Sequence, residues 1–104
     1  MSEYLPEQYR LFRDRYPEVA AALDGLGRAT QQAGPLDPKT QRLVKLGIAM
    51  ALGSEGAVRS NVRRALQEGA SPDEIRHVAL LVISTGGFPR SIAAMGWVDE
   101  VLDL

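Results

Sequence analysis

Residues Asp37–Ile83, DPKTQRLVKLGIAMALGSEGAVRSNVRRALQEGASPDEIRHVALLVI, contain the boundary signals of three consecutive helices and decide the fold. Asp37 followed by Pro38 predicts a helix start, because the aspartate side chain accepts hydrogen bonds from free N–H groups and proline suits the first turn. Gly53 predicts the end of this helix in a left-handed turn. Ser54 directly after it predicts the cap of a second helix, so that the two helices form a hairpin.

The third helix of this stretch has the clearest start. Gly69 predicts the end of the second helix, and Ser71–Glu74 has the sequence of a capping box with a proline in the first turn. We expect the third helix to run from Pro72 to about Thr85. Because Val78–Ile83 is apolar on every side of a helix, we also expect this helix to be central in the fold.

Amphipathic helices are predicted on both sides of this stretch. Towards the N-terminus, Pro17 separates two helices, at about residues 6–15 and 17–33, whose apolar side chains follow a heptad spacing. They form either a layer on the domain's own core or an arm that packs on a neighbouring subunit. A last helix is expected over Phe88–Leu102, with Gly96 allowing the close approach of another helix. The apolar faces comprise Leu5, Tyr9, Phe12, Tyr16, Val19, Leu23 and Leu26 in the N-terminal helices and Phe88, Ile92, Met95, Val98 and Leu102 in the last.

Together these elements predict an all-α fold, a bundle of five or six helices around the central helical hairpin. The 104 residues make one domain, which we divide into an N-terminal helical arm, residues 1–34, and a core, residues 36–104. A helix that is apolar on every side needs cover that so short a chain has few elements to provide. We therefore expect the chain to assemble with copies of itself.

The composition excludes several classes of function. With 12 basic and 13 acidic residues and a net charge of −1, no overall field favours nucleic acid or an anionic membrane as a partner. The chain has no cysteine, which excludes disulfides and thiol redox catalysis. One histidine without clustered carboxylates predicts no metal site, and we expect no cofactor. No apolar run reaches the roughly 18 residues of a membrane span, so we expect a soluble, cytoplasmic protein.

Four motifs carry a resemblance to a known family. LxxxTxxLVxLxxAxALG from Leu36, NVRRALQEGAS from Asn61, PDEIRHVALL from Pro72 and GFPRSIAA from Gly87 together resemble the carboxymuconolactone decarboxylase family, which also contains the alkylhydroperoxidase D-like proteins. The resemblance implies an all-α fold built on a helical hairpin, and it favours a homotrimer or homohexamer over the alternative, a dimer. It also implies a site in the groove around that hairpin.

The resemblance implies different chemistry for the two branches of the family. In the peroxidase-like branch a glutamate, two cysteines and a histidine form a proton relay to the thiols, and those positions here are Arg42, Ser54, Ala57 and Asn61. None matches, so we expect no cysteine peroxidase activity. The decarboxylase branch does not need the cysteines but usually keeps the histidine, which is Asn61 here. An amide can hold a carbonyl or carboxylate oxygen, although it cannot act as a general acid near neutral pH.

Five residues are candidates for a site. His77, with an unperturbed pKa near neutrality, and Glu55 are candidates for proton transfer, while Arg42, Arg59 and Asn61 are candidates for binding a small carboxylated substrate. Each has a plainer alternative. His77 can be an exposed or paired surface histidine, and Arg59 and Glu55 can form an ordinary pair four residues apart on a helix. Arg42 can lie on a solvated face, and Asn61 can be exposed to solvent.

Two hypotheses for the function follow. The first is a carboxymuconolactone decarboxylase-like protein, a lyase or a binding protein for a small carboxylated, lactone-type compound, without thiol peroxidase chemistry. The second is a non-catalytic homo-oligomeric binding or structural protein that keeps only the fold. Thermal-shift measurements with small dicarboxylates and lactones separate them, since a ligand that binds the folded form raises the melting temperature.

Overall fold

The structure is a computed structural model that describes residues 7–102. This part of the chain forms six α-helices and no strand, so the predicted all-α fold is confirmed. The helices are α1, Glu7–Arg15; α2, Pro17–Gln32; α3, Pro38–Leu52; α4, Glu55–Gln67; α5, Pro72–Val82; and α6, Phe88–Leu102. Within residues 7–102, no helix combines the length and the apolar character that crossing a membrane requires. The chain divides into two compact units, with the boundary between Pro35 and Leu36.

The first unit contains α1 and α2. As Pro17 predicts, one helix ends before it and the next begins at it, with no hydrogen bond from the side chain of Tyr16 at the cap. Both carboxylate oxygens of Asp24 on α2 accept hydrogen bonds from the guanidinium of Arg13 on α1. The hydrogen bonds from Arg13 lower the pKa of Asp24. The apolar side chains of the heptad pattern on α2 are about half exposed, and Leu5 lies outside the described residues.

The second unit contains α3 to α6, and its helix ends follow local signals. At the start of α3, Asp37 accepts a hydrogen bond from the N–H of Thr40 at 2.7 Å. At its end, Gly53 has a φ of +71°, the left-handed conformation that the sequence predicts. Ser54 does precede α4, but its side chain makes no capping hydrogen bond. That part of the prediction was wrong because residue type marks the position of a cap without fixing the side-chain rotamer.

The capping box at the start of α5 is confirmed. The hydroxyl of Ser71 accepts a hydrogen bond from the N–H of Glu74 at 3.0 Å, and the Glu74 carboxylate accepts the N–H of Ser71 at 2.9 Å. The helix ends at Val82, three residues before the predicted Thr85. The carbonyl of Val82 accepts N–H groups from Thr85, Gly86 and Gly87 instead, which closes a turn that ends with Gly87 at a φ of +101°.

The core of the second unit draws on all four of its helices. A buried serine, Ser91 on α6, joins α6 to α5 by donating its hydroxyl to the carbonyl of Ala79 at 2.8 Å. Gly96 has no atom within 4 Å of where a Cβ would be placed, so the close approach predicted there was wrong. The core residues are Leu46, Ala49, Met50, Val58, Val62, Ala65, Ala70, Ile75, Ala79, Val82, Ala94 and Val98.

The apolar stretch of α5 is not central in this chain. Only Ala79 and Val82 are buried, whereas Leu80 and Leu81 are 51% and 57% exposed, so this prediction was wrong for the isolated chain. The physical reason is that α5 has only α3, α4 and α6 of the second unit as packing partners, which leaves part of its circumference uncovered. Other exposed apolar side chains of the second unit are Leu36, Val44, Ile48, Leu52, Leu66, Ile83, Phe88 and Ile92.

Candidate functional site

The structure brings together Arg42 on α3 and Asn61 on α4, two of the residues predicted to bind substrate. The guanidinium Nη1 of Arg42 donates to the amide Oδ1 of Asn61 at 3.4 Å, which is a long hydrogen bond. The amide nitrogen of Asn61 donates to the carbonyl of Ala57 at 3.0 Å, one turn earlier on the same helix. This second bond fixes the orientation of the amide, so its oxygen faces Arg42.

Two further cations, Lys45 and Arg64, lie close enough to Arg42 to interact with it through their charges. Lys45 follows Arg42 by three residues on α3, and Arg64 follows Asn61 by three residues on α4, so each pair lies on one side of its helix. Burial lowers the pKa of Arg42, and the positive charge of Arg64 lowers it further, while Glu68 acts in the opposite direction. Burial also lowers the pKa of Lys45, followed by the charges of Arg42 and Arg64. Arg42, Lys45 and Arg64 are hereafter the cationic cluster.

Within residues 7–102, the cationic cluster has no acidic partner at ion-pair distance. Among residues 7–102, neither Arg42, Lys45 nor Arg64 forms a salt bridge, whereas Arg10, Arg13, Arg59 and Arg76 do. Glu68 influences Arg42 only through its charge. Because a guanidinium cannot lose its proton at ordinary pH, the cost of its partial burial persists until an anion compensates it. The site is therefore electrostatically suited to bind an anion.

Arg59, predicted to bind the same substrate, has different partners. Its guanidinium forms salt bridges of 2.6 Å with Glu55 on its own helix and of 2.6 Å with Glu100 on α6. The hydrogen bonds with Glu100, and then those with Glu55, raise the pKa of Arg59. The plainer alternative, an ion pair four residues apart, is what the structure shows, and Glu100 extends it into a network that ties α4 to α6.

The two residues predicted to transfer a proton lie on the surface. Glu55 is exposed and pairs with Arg59. His77 is exposed and makes no hydrogen bond or salt bridge within the described residues, which agrees with its plainer alternative. No hydrogen bond or salt bridge between described residues connects either of them to Arg42 or Asn61. The structure thus groups the binding residues Arg42 and Asn61 and leaves the proposed acids apart from that pair.

Sequence reasoning did not identify Lys45 and Arg64. The only signal was the spacing, since each lies one turn after a residue that the family resemblance already marked. A groove elsewhere in the second unit was also not predicted. It is an open groove of about 240 Å³ between α5 and α6, with a salt bridge of 3.3 Å from Arg76 to Asp99 at its edge. It is lined by Arg76, Ala79, Leu80, Met95, Val98 and Asp99.

Within residues 7–102, no three side chains of histidine, aspartate or glutamate come together as potential ligands.

Comparison with known proteins agrees with the fold and the motifs. The sequence profile of the carboxymuconolactone decarboxylase family matches residues 17–100, and the chain belongs to that family. An apo crystal structure of a family member from Legionella pneumophila superposes with a TM-score of 0.77, covering 90% of this chain and 87% of that chain at 24% identity. That likeness supports the fold.

Curated relatives come from an archaeon and a bacterium. Two uncharacterised proteins of Methanocaldococcus jannaschii are 33% identical over 97% of this chain and 95% of the relative, and 28% identical over 94% and 95%. The 4-carboxymuconolactone decarboxylase of Acinetobacter baylyi is 34% identical over 62 residues, 60% of this chain and 46% of the enzyme. The match to the named enzyme therefore includes less than half of its length.

Proposed function

We propose that this carboxymuconolactone decarboxylase-like protein binds a small carboxylated compound between α3 and α4. The observation that carries the proposal is the cationic cluster: Arg42 and Lys45 are half-buried, Arg42 contacts Asn61, and none of the three cations has an acidic residue of the range 7–102 at ion-pair distance. A carboxylate would supply the missing negative charge, and a guanidinium can bind it through two parallel hydrogen bonds. The amide of Asn61 would then orient a carbonyl oxygen, such as that of a lactone.

The family supports the same ligand class. The Acinetobacter baylyi relative is named a 4-carboxymuconolactone decarboxylase, and such a substrate is a carboxylated lactone. In the resemblance described above, Arg42 and Asn61 occupy the glutamate and histidine positions of the family's proton relay. The contact of 3.4 Å between them keeps the relay positions together but replaces an acid–base pair by a cation and an amide. We therefore propose binding of the carboxylated compound, and a lyase reaction is the activity to test once binding is established.

The experiment is a thermal-shift titration with succinate and with a carboxylated lactone. A ligand at 100 times its dissociation constant stabilises the folded state by about 2.7 kcal/mol. Arg42→Gln should weaken binding about 10- to 100-fold, because hydrogen bonds to charged groups contribute roughly 1.5–3 kcal/mol. Arg76→Gln is the matched control, since Arg76 lines the groove between α5 and α6 and forms no hydrogen bond or salt bridge with Arg42 or Asn61. The proposal is wrong if neither ligand raises the melting temperature, or if only Arg76→Gln removes the shift.

A second candidate function is a homo-oligomeric binding or structural protein without chemistry. The observation that favours it is the set of exposed apolar side chains on the second unit, including Leu52 at 70%, Leu81 at 57% and Phe88 at 57% exposed. A contiguous patch of such side chains would serve as an interface. Copies of the chain, arranged as a homotrimer or homohexamer, would cover it. This candidate gains support if the protein is oligomeric but binds no carboxylate.

A further inference from the structure

Two contacts fix the spacing of α5 and α6 beside the groove between them. The hydroxyl of the buried Ser91 on α6 donates to the carbonyl of Ala79 on α5 at 2.8 Å. Further along the two helices, Arg76 on α5 and Asp99 on α6 form a salt bridge of 3.3 Å. Ala79, Arg76 and Asp99 all line the groove. The groove is therefore part of the packing of the two helices and does not depend on a loop.

Most of the groove is apolar. Ala79 and Val98 are 0% and 1% exposed and form its floor, while Leu80 and the half-buried Met95 form its walls. Its volume of about 240 Å³ exceeds that of a cavity of roughly 150 Å³, which is large enough to hold benzene. The groove therefore has room for one ring that carries a substituent.

The polar end of the groove is neutral as a unit. The bond from Nη2 of Arg76 to Oδ1 of Asp99 is the only hydrogen bond that either side chain makes with another residue of the range 7–102. The second carboxylate oxygen of Asp99 can still accept a hydrogen bond, and other N–H groups of Arg76 can still donate one. A single hydroxyl group both donates and accepts, so it can use both side chains. A ligand carboxylate would instead be repelled by Asp99, and a ligand ammonium by Arg76.

The walls of the groove favour an aromatic ring. A methionine sulfur makes favourable contacts with the edge of an aromatic ring, and Met95 is one of the two wall residues. We propose that the groove binds a small neutral phenol-type compound, with its ring between Leu80 and Met95 and its hydroxyl at the Arg76–Asp99 pair. This site is separate from the proposed carboxylate site, because none of its lining residues belongs to the cationic cluster.

Methyl NMR of the full chain tests the proposal. The chain has three methionines; Met95 lines the groove, whereas Met50 is fully buried in the core and does not line it. Protein labelled with ¹³C at the methionine methyl groups is titrated at neutral pH with 4-fluorophenol at millimolar concentration. The ring current of the bound compound should shift the Met95 signal, which Met95→Leu identifies, and should move the Met50 signal far less.

Two substitutions examine the wall and the polar end separately. Leu80→Ala should weaken binding about three- to tenfold, because the ring then buries less apolar surface. Leu81→Ala is the matched control, since Leu81 is the next residue, is similarly exposed and does not line the groove. Asp99→Asn removes the negative charge beside Arg76. The preference of the wild-type protein for 4-fluorophenol over 4-fluorobenzoate should therefore shrink in Asp99→Asn.

Several results would overturn the proposal. They are an unmoved Met95 signal, equal weakening by Leu80→Ala and Leu81→Ala, or equal binding of 4-fluorobenzoate and 4-fluorophenol by the wild-type protein. Light scattering on the same samples examines the competing occupant, a second copy of the chain. If 4-fluorophenol binds only after Leu80→Ala has dissociated an oligomer, the groove is an interface and the proposal is wrong. Carboxylate binding is decided separately, by the effect of Arg42→Gln on succinate.

Discussion

Replacing Ser91 by alanine should destabilise the protein more than the loss of a single hydroxyl group suggests. Ser91 and Ala79 are both fully buried, and the serine hydroxyl donates to the Ala79 carbonyl at 2.8 Å. In a continuing helix that carbonyl would accept the N–H of Ile83. Because α5 ends at Val82, however, the N–H of Ile83 donates to the carbonyl of Leu80 at 3.1 Å. The hydroxyl of Ser91 is thus the partner that satisfies a buried carbonyl at a helix end.

The expected loss of stability follows from the buried Ala79 carbonyl, which the substitution leaves without its hydrogen-bond donor. A buried acceptor that loses its partner costs about 1–3 kcal/mol, compared with about 1 kcal/mol for an average hydrogen bond. For a domain of this size that is a fall in Tm of roughly 5–20 °C. The small void left by the hydroxyl adds to the loss, since water cannot reach a site that is 0% exposed to replace the hydrogen bond.

Urea denaturation, at one fixed protein concentration, measures the effect. The midpoint of Ser91→Ala should fall while the dependence on urea stays the same, because the surface exposed on unfolding does not change. Ser84→Ala is the control, since Ser84 is exposed and lies in the turn after α5. It should change the free energy of unfolding by less than about 0.5 kcal/mol. Equal midpoints for the two variants would refute the reasoning, because the Ala79 carbonyl would then have another partner.

Four further predictions follow from the same structure. Ser71→Ala should lower the free energy of unfolding by about 1 kcal/mol, because its hydroxyl accepts the N–H of Glu74. Gly53→Ala should lower it by about 1–2 kcal/mol, since a Cβ is unfavourable in the left-handed region. The purified protein should reduce no hydroperoxide with any dithiol donor, because it contains no cysteine. Light scattering at micromolar concentration should show a trimer or hexamer.

Each of these has an outcome that contradicts it. The side chain of Ser54 makes no capping hydrogen bond, so Ser54→Ala should lower the free energy of unfolding less than Ser71→Ala does. Equal losses would mean that the Ser71 hydroxyl does not stabilise the start of α5. An unchanged midpoint for Gly53→Ala would show that the left-handed turn imposes no strain. The contrary result would be turnover of a hydroperoxide that thiol-blocking reagents do not affect but that Asn61→Ala abolishes. It would indicate that the predicted site is active through chemistry that does not use thiols. A monodisperse species near 11.3 kDa would rule out self-assembly.

Local signals in the sequence determined the starts of α3 and α5 and the end of α3. The cap at Asp37, the left-handed turn at Gly53 and the capping box at Ser71 each depend on hydrogen bonds or backbone angles within a few residues. Such interactions form wherever the sequence places them, so they could be predicted without knowledge of the rest of the chain. The family motifs rest on the same local features, and they gave the fold and the pairing of Arg42 with Asn61.

Only the tertiary structure decided which side chains meet across helices. Arg59 gained Glu100, which lies 41 residues away, and so took part in an ion-pair network rather than in the carboxylate site. Leu80 and Leu81 stayed exposed although their sequence is as apolar as a core helix. Lys45 became notable only because Arg64 on another helix lies near it. Contacts of this kind depend on how whole helices pack, which no short stretch of sequence specifies.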